Sequence, residues 1–171
     1  MIEPGLHYEF AGEVRLLQRG GVPHSLVITG VAKWRYADIL SAAHTPELQA
    51  SVLFTGYVEE EDLPALYGGA ELFVFPSLYE GFGLPVLEAM ACGAPVVSSR
   101  ESSMPELGAD VPRYFNPYDV DHMTDVIRNV LADDALRAEM SVAGPARATH
   151  FSWERAAKET LAVYRRTMQH K

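Results

Sequence analysis

The chain has 171 residues, 48% of them apolar and 22% charged, and a formal net charge of −9. This is the composition of an ordinary globular domain, large enough to bury a core without covalent staples. The acidic balance disfavours nucleic acid as a partner and argues against independent membrane binding. Cys92 is the only cysteine, which excludes an internal disulfide and a multi-cysteine metal site. No apolar run approaches the ~20 residues of a membrane span. The first residues lack a basic stretch followed by an apolar core, so a cytoplasmic location is expected.

In chain order, Phe10, Val14 and Leu17 lie at spacings of four and three and predict a helix over 8–19, stopped by Gly20, Gly21 and Pro23. Residues 25–29 (SLVIT) form an unbroken aliphatic run ended by Gly30, which predicts a strand covered on both faces. A helix is expected over 34–43, closed by Pro46. A second strand is expected over 52–55 before Gly56. A short helix follows, carrying Asp62, Leu63, Leu66 and Tyr67, with Glu59 to Asp62 as an acidic first turn.

A strand at 72–75, a helix at 85–91 and a strand at 96–99 come next, then a short helix at 104–107 and a short strand at 113–115. The tail is helical. Val120, Met123, Ile127 and Val130 share one face; Leu136 and Met140 mark another helix, which Gly144 and Pro145 should break or kink. Ser152 is a cap for a last helix in which Trp153, Ala157, Leu161, Tyr164 and Met168 keep helical spacing. Strands alternating with helices predict an α/β domain, a single Rossmann-like doubly wound parallel sheet. Such sheets bind ligands beyond the carboxyl ends of their strands.

The stretch over 76–88 sits at such an end. Gly81 and Gly83 permit close backbone approach, and Leu84 and Pro85 open a helix. Free amides at that helix start suit an anion or an electron-rich oxygen. Glu80 stands beside them and Glu88 lies about one turn into the helix. Carboxylates repel an anion, so their natural partners are hydroxyls. An anion with several hydroxyls describes a nucleotide sugar. Taken alone, Glu88 also fits a residue near the third helical position that satisfies orphan amides, and Glu80 a solvated loop acid. The stretch has neither a G-x-G-x-x-G dinucleotide fingerprint nor a G-x-x-x-x-G-K-[ST] phosphate loop. Ser98, Ser99, Ser102 and Ser103 form a polar cluster that fits a pocket lining or ordinary loop polarity. The six histidines show no ligand spacing, and Cys92 reads as a packed thiol.

The segment FPSLYEGFGLPVLEAMACGAPVVSS closely resembles the donor-site signature of the group-1, or family-4, retaining glycosyltransferases of the GT-B fold, with its two glutamates separated by seven residues. The resemblance extends over about 25–165, through SLVITG and VLFTGYVEEEDLPALYGGAELFVFPS upstream and SSMPELGAD, FNPYDVDHMTDVI and FSWERAAKETLAVYR downstream. It implies the C-terminal, donor-binding half of a GT-B enzyme, with a UDP-, GDP- or ADP-linked sugar as substrate, no cofactor and no metal. It implies that Glu80 contacts sugar hydroxyls as the catalytic residue. The amides of Gly81, Phe82, Gly83 and Leu84 would hold sugar and phosphate oxygens, and Glu88 would grip the ribose. Gly56, Tyr57 and Val58 would flank the base, with Gly30 near the same pocket. Asp119–Val120–Asp121 has the form of a metal-binding Asp-x-Asp motif but reads as helix capping.

Two of the family's parts are expected to be missing from these 171 residues: the acceptor-binding domain, and the first strand–turn–helix unit with its diphosphate-binding Arg and Lys. Arg15 and Arg19 do not match that motif. The expectation is therefore a single donor-binding domain, inactive or weakly active alone, working with a separate acceptor-binding domain. The alternatives are a non-catalytic assembly module, a homodimer or a split-enzyme subunit; a GT-B phosphorylase or a nucleotide-sugar epimerase fits less well.

Overall fold

The computed structural model describes residues 24–30, 40–41, 43–46 and 48–169. The helix expected over 8–19, with Arg15 and Arg19, lies outside them. So does most of the helix expected over 34–43, of which Leu40, Ser41 and Ala43 are helical.

Five strands and six helices are defined among the described residues: β1 Leu26–Thr29, β2 Val52–Gly56, α1 Leu63–Gly68, β3 Phe73–Phe75, α2 Leu84–Ala91, β4 Val96–Ser99, α3 Met104–Gly108, β5 Arg113–Phe115, α4 Val120–Ala132, α5 Asp134–Ala148 and α6 Trp153–Gln169. All pairing is parallel. β1 pairs with β2, with a register shift between Ile28 and Thr29. β3, β4 and β5 form a second ladder in that order, with Phe73 opposite Val96 and Ser99 opposite Phe115. The expected α/β architecture is therefore present, its strands carried in a two-stranded and a three-stranded ladder. A 2.8 Å contact between His24 Nε2 and Glu71 Oε2 ties the start of β1 to the start of β3, and Arg137 holds Glu71 from α5 at 3.0 Å.

The core explains why β4 is central. Its four residues are all buried. Val96 packs with Val86, Ala89 and Met90 of α2 and Met104 and Leu107 of α3. Val97 packs on the opposite face, with Phe115, Met123, Ile127, Val130 and Met140. Helices thus cover both faces of the second ladder, as the unbroken VVSS run demands. β1 does not meet the same expectation: burial alternates along it, and Val27 is 40% exposed. β2 alternates likewise, with Leu53 58% exposed. Here the aliphatic run reflects strand propensity, which does not require two-sided cover.

Two helix expectations are corrected. The acids over 59–62 precede α1, and Asp62 sits at its N-cap without a side-chain capping bond. α5 runs through Gly144 and Pro145 to Ala148. Proline in a helix interior costs about 3 kcal/mol or more, and α5 continues through it while packed on α2, where a Cβ at Gly144 would come within 2.9 Å of the Met90 carbonyl oxygen. The glycine lets α5 abut α2. α6 keeps the expected spacing and its cap, the Arg155 amide donating to Ser152 Oγ at 3.1 Å, yet none of its residues is buried and Trp153 is 82% exposed.

Candidate functional site

β3 and β4 are neighbours, so the turns leaving their carboxyl ends meet. The turn over 76–83 leaves β3, and the loop over 100–103 leaves β4. Three serine hydroxyls hold the first turn from across this junction, and a fourth holds it from within. Ser99 Oγ donates to the Ser77 carbonyl at 2.6 Å from a fully buried position. Ser102 Oγ donates to the Glu80 carbonyl at 2.5 Å and accepts from the Glu80 amide at 3.3 Å. Ser103 Oγ lies 3.1 Å from the Glu80 carbonyl and 2.9 Å from that of Phe82. Ser77 Oγ donates to Glu80 Oε1 at 2.9 Å. Ser102 adopts a left-handed φ of 59°, a conformation that costs a non-glycine residue free energy and is tolerated where surrounding bonds enforce it.

The clamp fixes Glu80 while leaving acceptors and donors open. Among the described residues Glu80 Oε2 has no partner, and the amides of Gly81, Phe82, Gly83 and Leu84 donate no hydrogen bond within the chain. Gly83 is the N-cap of α2, at φ 99°. A Cβ there would lie 2.3 Å from Met104 Cε, so glycine is required both by conformation and by space. α2 begins at Leu84, with Pro85 second, and its dipole directs partial positive charge at the open amides. Phe82 is anchored edge-to-face on Phe151 at 5.9 Å. Arg147 stacks over Phe151 at 5.0 Å and donates to the carbonyls of Leu107 and Glu106.

Glu88 is the fifth residue of α2, beyond the positions that cap orphan amides. Its carboxylate is exposed, and Oε2 accepts from the Tyr67 hydroxyl at 3.2 Å. Burial, followed by the neighbouring Glu88 carboxylate, pushes Tyr67 up to about 12, so the hydroxyl is a proton donor throughout the neutral range.

Gly30 and Gly56, at φ 116° and 69°, end β1 and β2 and are joined by a 2.8 Å bond from the Gly30 amide to the Gly56 carbonyl. Tyr57 projects beside them, 62% exposed, and Val58 is half-buried. Among the described residues no hydrogen bond joins this corner to the turn over 80–84; each lies at the carboxyl end of its own ladder. The Asp-x-Asp stretch is a cap: Asp119 Oδ1 accepts from the His122 amide at 2.9 Å. Ser77 and Tyr67 were not legible as site residues, because Ser77 acts only by holding Glu80 and Tyr67 lies on α1, outside the turn. Of the serine cluster, Ser99, Ser102 and Ser103 support the turn, while Ser98 is buried without a partner.

A parallel sheet here carries an amide cradle suited to an anion and two carboxylates suited to hydroxyls, at the carboxyl ends of its strands. The model of the family described as glycosyl transferases group 1 matches residues 14–147, and the chain belongs to that family. The O-antigen chain mannosyltransferase B of Escherichia coli is 39% identical over 142 residues, which are 83% of this chain and 37% of that protein. Sucrose-phosphate synthase from Thermosynechococcus elongatus superposes with a TM-score of 0.82 at 26% identity, covering 98% of this chain and 43% of that one. A crystallised C-terminal domain of a group-1 glycosyl transferase from Francisella tularensis superposes at a TM-score of 0.74 with 24% identity, over 85% of this chain and 78% of that one. The chain has the fold of one half of a GT-B enzyme and spans less than half the length of the first two relatives. Among the described residues no helix is long and apolar enough to cross a membrane.

Proposed function

We propose that the chain is the donor-binding half of a retaining glycosyltransferase, and that it takes a nucleoside-diphosphate sugar without a metal ion. The observation that carries this reading is the turn itself: four open amides at the start of α2, flanked by two carboxylates of which each keeps a free oxygen. The diphosphate sits on the amides of Gly83 and Leu84, where the helix dipole favours the negative charge that grows as the leaving group departs. Gly81 and Phe82 present amides to sugar oxygens. Glu80, held through Ser77, accepts from sugar hydroxyls with its open oxygen and stabilises the ring as it gains oxocarbenium character. Glu88 takes the ribose hydroxyls, and Tyr57, with Gly56, Val58 and Gly30, borders the base.

The relationship to a mannosyltransferase supports mannose as the sugar transferred. Calorimetry tests the reading. UDP, GDP and ADP are titrated into the chain, and one of them should bind with a submillimolar to millimolar dissociation constant that EDTA leaves unchanged. Loss of binding with EDTA would contradict metal independence.

A second role, assembly, is favoured by α6, whose apolar residues Trp153, Leu161, Tyr164 and Met168 are all exposed. A separate acceptor-binding domain would cover this face. Light scattering decides whether the chain instead pairs with a second copy of itself.

A further inference from the structure

We infer that Tyr67 is a positioning residue for Glu88, which makes α1 a working part of the donor site. The inference rests on the reading of Glu88 as the ribose-binding carboxylate. Tyr67 lies on the preceding helix, twenty-one positions from Glu88 in the chain, and reaches across the α1–α2 contact to donate to Glu88 Oε2 at 3.2 Å. Its ring is braced edge-to-face by Phe73 at 5.3 Å. Phe73 in turn stacks on Phe75 at 6.2 Å, so the brace is built into β3. An exposed glutamate on a helix otherwise samples several rotamers, and fixing it on ligand binding carries an entropy cost. Here one carboxylate oxygen is tethered before the ligand arrives. The other oxygen has no partner among the described residues, and the residue is exposed, so an acceptor stays open. The tether also fixes which oxygen is free, so the hydroxyls that Glu88 accepts meet a single geometry.

The test compares four forms of the 171-residue chain: wild type, Tyr67→Phe, Glu88→Ala and the double variant. Each is titrated by calorimetry with UDP, GDP and ADP, and separately with inorganic pyrophosphate, which has no ribose. Tyr67→Phe keeps the ring and its packing and removes one oxygen. It should weaken the preferred nucleoside diphosphate about three- to tenfold, leave pyrophosphate binding unchanged, and add nothing in the Glu88→Ala background. A purely structural tyrosine would weaken pyrophosphate and the nucleotide alike, and that result overturns the inference. Wild-type nucleotide affinity in Tyr67→Phe, with loss in Glu88→Ala, also overturns it and leaves the role of Glu88 standing. Unchanged affinity in Glu88→Ala, or no nucleotide binding by the wild type, removes the role of Glu88 and the inference with it.

Discussion

Replacing Gly83 by alanine tests how the turn is held. The new Cβ must adopt a left-handed φ of 99°, which costs an L-residue about 1–2 kcal/mol. It also enters space occupied by Met104, with Cε at 2.3 Å and Sδ at 3.0 Å, and by Leu107 Cδ2 at 3.5 Å. A methionine end can usually swing aside, but Met104 is 1% exposed and packed between α2 and β4, so the overlap becomes a core overpacking of about 1–3 kcal/mol. Alanine recovers about 0.4–1 kcal/mol by restricting the unfolded chain. The net loss is about 2–4 kcal/mol, a fall in Tm of roughly 5–15 °C for a domain of this size. Urea denaturation and a thermal melt measure it. Gly81→Ala is the matched control, because a Cβ there meets nothing within 4 Å and the residue has no left-handed φ. It should stay within about 0.5 kcal/mol of wild type. In a Met104→Ala background Gly83→Ala should cost less than in the wild type, since the space is free and only the backbone strain is left. A Gly83→Ala variant as stable as Gly81→Ala would refute the reasoning.

Other outcomes follow from the same geometry. Ser102→Ala removes the hydroxyl that both donates to and accepts from Glu80, leaving a strained backbone without its reason; it should destabilise the chain by about 1–3 kcal/mol, whereas Ser102→Gly, which relieves the strain, should cost less, and equal losses in urea denaturation would contradict the clamp. Stability should fall at high pH. Tyr67 and Tyr114 are both pushed up to about 12, chiefly by burial, so the folded state keeps protons that the unfolded chain releases near 10. Their contribution is complete below about 10 and is lost between about 10 and 12; urea midpoints across that window should drop less steeply in a Tyr67→Phe, Tyr114→Phe double variant, and an unchanged slope would refute the assignment.

How far the site was legible depends on how local each part is. The run from β3 through α2 to β4 could be read because glycine and proline punctuate it and Val96 and Val97 sit on opposite faces of a doubly covered strand. The serine clamp could not, because Ser77 and Ser99 lie 22 positions apart and meet only once β3 and β4 pair. Tyr67 and Glu88 are likewise joined by the packing of α1 on α2. Pro145 misleads as a helix breaker because the packing of α5 on α2 is a tertiary effect that local propensity does not contain. The stripe on α6 is a true helical period, but periodicity does not say what an apolar face packs against, and here it stays exposed. The spacing of Glu80 and Glu88 was visible at once; which oxygen of each carboxylate stays open depends on Ser77 and Tyr67.

In the proposed function the amide turn with Glu80 and Glu88 grips a nucleoside diphosphate. Calorimetric titration of UDP, GDP and ADP into the wild-type chain and into Glu88→Ala tests it most directly. At least one of the three should bind saturably, and about tenfold or more weakly in Glu88→Ala, in line with about 1.5–3 kcal/mol for a hydrogen bond to a charged group. No heat of binding at millimolar nucleotide, or equal affinity in the two proteins, would contradict it.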